Sequence, residues 1–189
     1  MRYHRADVVR RALAVLDQHG LADLSMRRLG AELGVAPSAL YWHFPNKQSL
    51  LAAVADQILE QADLPDSTGK PWRDAVLAET RALRGAMLGH RDGAELIATI
   101  HAFELGTISP AQRLTVIMAH ATDDPSLARV AANTLVHFVF GAVVDEQTQH
   151  QASSVGVLKS EPEDRSAEFE LGLSLILDGF GARRHGSGA

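Results

Sequence analysis

Apolar side chains recur at helical spacing along almost the whole chain, and no alternating apolar/polar run is long enough for a sheet. The pattern predicts an all-α protein. Val9, Leu13 and Leu16 fall at i, i+4 and i+7 and predict a helix over 5–19, with Gly20 placed to stop it. Ser25 is an N-cap for a short helix over 26–33 that buries Met26, Leu29 and Leu33 and ends at Gly34. Val35 and Ala36 make a tight turn. Pro37 then suits the first position of a third helix, where its missing N–H costs nothing. That helix ends near Phe44, because Pro45 pushes the residue before it out of the α region. Asn46 caps a fourth helix from Lys47 to about Ala62, with Leu51, Val54 and Ile58 facing inward.

The segment DLPDSTGKPW, residues 63–72, is the clearest break. Beyond it, helices are predicted near 72–89, 93–101, 109–121, 125–150 and 165–182, with a loop over 151–165. The chain therefore divides into a three-helix head over 1–47, a connecting helix over 47–62 and a larger helical domain over 63–189. Helix, tight turn and short helix in the head form a helix-turn-helix by spacing alone.

Composition narrows the picture. The 189 residues are 46% hydrophobic and 22% charged, as in an ordinary soluble globular protein. Without cysteine there is no disulfide framework, thiolate metal site or cysteine nucleophile. The charged start lacks a secretory pattern, and no apolar run approaches the roughly 18 residues of a membrane span, so a cytoplasmic protein is expected. The net charge of −5 is unevenly spread. Residues 1–47 carry seven Arg/Lys against four Asp/Glu, which leaves −8 for the remainder. A basic head on an acidic body suits a protein that touches phosphates at one end.

Four consecutive rings, Tyr41-Trp42-His43-Phe44, interrupt a chain that is only 5% aromatic. On a helical wheel Leu40 and Phe44 share one face and dock against Leu29 and Leu33. Ser38, Ala39 and Trp42 lie opposite, with Tyr41 and His43 on the flanks. Two readings fit an outward aromatic and polar surface beside Arg27, Arg28 and Lys47. One is a DNA major groove, with small residues near base edges and Tyr41, His43 and Lys47 at phosphates. The other is a structural subdomain with an aromatic patch for a protein partner.

The run LSMRRLGAELGVAPSALYWHFPNKQSLLAAVADQIL, residues 24–59, resembles the DNA-binding domain of the tetracycline-repressor (TetR) family of transcriptional regulators. The likeness lies in Arg27, Leu29, Gly34 and Val35, then Leu40 to Phe44, then Asn46-Lys47 and a long apolar helix. It implies that Leu40 and Phe44 hold the recognition helix, while Pro37, Ser38, Ala39 and Tyr41 face the groove or its phosphates. Arg27 and Lys47 then clamp the backbone, with Ser25, Arg28 and His43 completing the DNA-binding set. Trp42 is expected to pack on the first helix. Ala39 departs from the family, which often has a hydrogen-bonding side chain there, so readout is expected to lean on Ser38, Arg27 and contacts with thymine methyls.

The resemblance also implies a homodimer on a palindromic operator, because two recognition helices must meet major grooves about 34 Å apart. Helices near 125–150 and 165–182 are expected to form the interface, through Leu171, Leu175, Phe180, Val136, Val139 and Val143, the other use of these faces being the chain's own core. WRDAVLAETRALRGAMLGHRDGAEL and HFVFGAVVDEQ resemble the effector domain of the tetracycline-repressor branch. The drug-binding positions depart from it. Glu79 and Leu83 stand where that branch has asparagine and phenylalanine, and Ile97 and Ile100 where it has a metal-binding histidine and a threonine. Asp145 keeps a carboxylate, but one carboxylate without the histidine is a poor magnesium site. The expected effector is thus a small, largely apolar molecule and not tetracycline, with no metal and no cofactor. Its expected site comprises Glu79, Leu83, Ile97, Ile100, His101, Asn133, His137 and Asp145. The polar stripe Asn133, His137, Gly141 and Asp145 has two further readings, a dimer interface or internal pairing with His101, His120 or Glu104. Effector binding is expected to work as a population shift through the 47–62 helix.

Rival functions find little support. There is no HExxH, no GxSxG and no P-loop, since TGK at 68–70 runs into Pro71. An enzyme is therefore not expected. Nine histidines keep a metal-responsive regulator open as an alternative, and a helical interaction module without DNA is another.

Overall fold

The computed structural model describes residues 3–62, 64–157 and 164–184. Among them there are α-helices and no strand, as the periodicity predicts. The order is α1 (Arg5–His19), α2 (Met26–Leu33), α3 (Pro37–Leu40), α4 (Lys47–Gln61), α5 (Trp72–Leu88), α6 (Gly93–Ala102), α7 (Pro110–Ala119), α8 (Pro125–Ser154) and α9 (Ser166–Arg184). Two compact units result, one from Met1–Ala62 with Ala86–Ile108 and one from Asp63–Gly85 with Ser109–Ala189. The first unit thus takes in α6 along with the N-terminal helices.

Local chemistry explains the boundaries in the first unit. Gly20 at φ 84° stops α1, and its N–H is bonded to Leu16 O at 2.7 Å. Ser25 Oγ accepts the Arg28 N–H at 3.2 Å and caps α2. Gly34 ends α2 in the left-handed conformation, φ 67°, a region that costs glycine nothing. Gly30 has a different role: a Cβ there would lie 2.9 Å from Val35 O, so only glycine lets the turn close onto α2. Asn46 and Ser49 form a reciprocal cap on α4, with Ser49 N–H donating to Asn46 Oδ1 at 2.8 Å. The predicted recognition helix is shorter than expected. Regular helix stops at Leu40, whose carbonyl accepts both His43 N–H and Phe44 N–H at 3.0 Å, closing a turn before Pro45.

The core of this unit holds Val8, Ala12, Leu16, Leu29, Leu40, Phe44, Leu50, Val54 and Ile58, all nearly solvent-free. Burial of such side chains, about 1.5–3 kcal/mol each, fixes three short helices that are too small to be stable alone. Within the same unit α6 packs on α4. Two polar clamps flank α6. Before it, Asp92 Oδ2 accepts the Leu21 N–H at 2.6 Å, His90 Nδ1 lies 3.0 Å from Asp17 Oδ1, and Arg91 donates to Gln18 O at 3.2 Å. After it, the Asp56 carboxylate of α4 accepts Thr107 N–H at 2.9 Å, Thr107 Oγ1–H at 2.8 Å and Ile108 N–H at 3.1 Å.

In the second unit α8 packs against α7 and α9. Leu114, Met118, Ala132, Leu135, Val136, Val139, Val143, Leu173 and Leu177 form its dry interior. Val136, Val139, Val143 and Phe180 were expected at a partner interface but lie in this core instead; Trp72 meets Phe180 edge-on with centroids 5.3 Å apart. A two-pronged bond from Arg84 to Glu146, 2.6 and 3.0 Å, ties α5 to α8. Helix α8 runs on to Ser154, past the predicted end, and Asp124 caps its start by accepting the Ser126 N–H at 2.9 Å. Residues 158–163 of the predicted loop and the tail from His185 lie outside the described residues. By length and composition α8 is apolar enough to cross a membrane, contrary to the sequence expectation. Its apolar face is the core just described, which accounts for that character without a bilayer.

Candidate DNA interface and effector region

Two buried side chains, Leu40 at 2% and Phe44 at 1% exposure, anchor the short α3 and its following turn onto α2. This leaves Pro37, Ser38 and Ala39 exposed in sequence order, followed by Tyr41 at 51% and Trp42 at 90%. Trp42 was expected to pack on α1; it does not. His43 is half-buried. Arg27 is exposed and Lys47 half-exposed, and among the described residues neither engages a carboxylate. Other cations of the head are committed: Arg10 to Asp7, Arg11 to Glu32. Arg28 is half-buried, with its Nε left without a partner. Ser25 serves first as the α2 cap, so its hydroxyl is already engaged. Arg5 stacks its guanidinium 4.8 Å from the Phe44 ring centroid, which places a cation beside the recognition turn. Spacing alone gave no sign of that contact.

An exposed surface of small and aromatic side chains, edged by uncommitted cations, can approach base edges and grip phosphates. The comparisons decide which use is made of it. The family model for bacterial regulatory proteins of the tetR family matches residues 8–54, and that for the tetracyclin repressor-like C-terminal domain matches residues 64–163. The chain belongs to the TetR family of bacterial regulators. The tetracycline repressor protein class A from transposon 1721 of Escherichia coli is 32% identical over 197 residues, covering 94% of this chain and 90% of the repressor. BioQ of Mycobacterium smegmatis superposes with a TM-score of 0.90 at 42% identity, covering 95% of this chain and 98% of BioQ. A BioQ crystallised with its natural double-stranded DNA operator gives 0.79 at 40% identity, covering 95% and 99%. A TetR-family member is a DNA-binding transcriptional regulator, and the protein-partner reading of the aromatic surface gives way.

The residues expected at the effector site belong to both units. Ile97 and Ile100 are buried in the first unit, with His101 half-buried beside them in sequence. Glu79 and Leu83 are buried in the second. Glu79 is not a free ligand group. Arg113 grips both its oxygens, Nε–H to Oε1 at 2.5 Å and Nη2–H to Oε2 at 2.9 Å, and this hydrogen bonding holds the Arg113 pKa above its ordinary value. The polar stripe turns outward. His137, Gly141 and Asp145 are exposed on α8, and Asn133 is half-buried. Among the described residues no three His, Asp or Glu side chains are grouped to hold a metal ion. Arg113 itself, the partner that neutralises Glu79, was missed by the sequence reading; two residues 34 apart carry no periodic signal.

Proposed function

We propose that the protein is a cytoplasmic, non-catalytic repressor that grips a palindromic operator as a homodimer and is released by a small, largely apolar effector. Pro37, Ser38, Ala39, Tyr41 and Trp42 face the groove; Arg27, Arg28, His43 and Lys47 hold phosphates, with Ser25 setting the start of α2. The observation that carries this reading is the exposed row from Pro37 to Trp42 standing over buried Leu40 and Phe44. The head over 1–47, the connecting helix and the body over 63–189 act as the functional divisions. Leu171 and Leu175, 62% and 66% exposed at i, i+4 on α9, together with the outward stripe of α8, supply the partner-facing surface. Effector binding lowers the population of the DNA-competent dimer, for which a differential affinity of a few kcal/mol suffices.

Fluorescence anisotropy against the DNA upstream of the protein's own gene, at two salt concentrations, tests this. Tight, selective and salt-sensitive binding that Tyr41→Ala loses is the expected result. Failure to bind any fragment of a promoter library overturns it.

A further inference from the structure

We propose that the effector is an amphipathic organic anion, seated in a cavity of about 830 Å³ between the 64–70 segment and α7. The inference rests on the effector-responsive reading above and gives that effector a chemical class. The cavity lies wholly within the second unit and is of a size that suits a drug-sized molecule. Leu64, Val116 and Ile117 supply an apolar wall, with Val116 63% exposed.

The polar lining bears on the charge. Of the Asp66 carboxylate, Oδ1 receives both Thr68 N–H and Thr68 Oγ1–H at 2.9 and 2.6 Å, and Glu79, behind the wall, is held through both its oxygens by Arg113. Lys70 and His120 line the cavity and make no salt bridge among the described residues, although the Lys70 charge helps hold the neighbouring Asp66 carboxyl below its ordinary value, and Arg113 spends Nε and Nη2 on Glu79 and Pro65 O while Nη1 has no bond among the described residues. A molecule that complements this lining brings acceptors and negative charge at one end and apolar surface at the other. Glu79 has a positioning role here. Its bidentate grip fixes the Arg113 guanidinium so that the remaining N–H groups are held in one orientation.

The test uses 8-anilinonaphthalene-1-sulfonate as the anion and N-phenyl-1-naphthylamine, the same ring system without the sulfonate, as its neutral counterpart. Each is titrated by fluorescence into the full-length protein. The variants are Lys70→Ala with His120→Ala, both exposed positions, and Glu79→Gln with Arg113→Gln, which removes both charges together. The expected result is one sulfonate site per chain that weakens at least ~10-fold in each double variant, as loss of charged hydrogen bonds demands, while the neutral probe shifts less than about twofold. Equal sulfonate affinity in all three proteins, parallel loss of both probes or no sulfonate binding overturns the proposal. Operator anisotropy on the same proteins separates the two readings. Operator binding with variant-insensitive sulfonate binding sinks only the cavity. Variant-sensitive sulfonate binding without any operator binding keeps the cavity and sinks the repressor reading.

Discussion

At the residue scale, neighbours in the 38–44 stretch have opposite duties. Leu40 and Phe44 are spent on the fold, whereas Tyr41 and Trp42 cost solvation and return nothing to a lone chain. Leu40→Ala is therefore expected to lower stability by about 2–5 kcal/mol in denaturant unfolding, because a buried leucine leaves a cavity. Trp42→Ala should leave the unfolding midpoint within about 0.5 kcal/mol of wild type yet weaken operator binding several-fold, since surface substitutions rarely touch stability. A stability loss as large as that of Leu40→Ala would show that Trp42 packs after all. Helical spacing made the Leu40/Phe44 half of this division legible. It set Trp42 on the outward side as well; the expectation that the ring folds back onto α1 fails because regular helix stops at Leu40 and the turn that follows leaves the ring 90% exposed.

The ionic pairs belong to the scale of elements. Asp56 gives all of its acceptor capacity to the segment after α6, in a unit that also holds the recognition turn. Asp56→Ala should speed hydrogen exchange at the Thr107 and Ile108 amides by about tenfold, the loss of roughly 1–2 kcal/mol of charge-assisted bonding. Unchanged exchange there would mean that the segment is held by packing alone. Arg81 and Glu170 join α5 to α9 by bonds of 2.6 and 2.7 Å, and the hydrogen bonds from Arg81 hold the Glu170 carboxyl below its ordinary value of 4.5. A depressed folded pKa gives stability that is present above the unfolded value and lost as pH falls through the folded one. Arg81→Ala should accordingly cost at most about 1 kcal/mol near pH 7, given the exposure of both groups, and close to nothing in strong acid. An equal cost at both pH values would assign the effect to packing. None of these pairs was legible in the sequence. Their partners lie 51 to 89 residues apart, and a single chain has no periodicity that links a carboxylate to a distant N–H.

For the whole molecule the decisive question is what covers the outer face of α8 and α9. The pattern named these two helices correctly as the apolar ones. It could not divide their hydrophobic positions between the chain's own core and a partner, because both uses have the same period. The structure makes that division: Val136, Val139, Val143 and Phe180 face inward, while Leu171 and Leu175 stay largely exposed. Replacing both leucines by glutamate, L171E with L175E, therefore removes little from the fold of one chain but sets charge against charge wherever two copies meet. Circular dichroism should show wild-type helix content, and sedimentation should show a monomer. Operator affinity should then fall by at least ~100-fold, because each recognition turn must find its half-site without the local concentration that the partner supplies. A half-site probe makes the argument specific. Its weak binding should be the same for the double variant and the wild type, since the DNA-facing row from Pro37 to Trp42 is untouched. A double variant that remains a dimer would place the interface elsewhere on the chain and leave Leu171 and Leu175 to another partner.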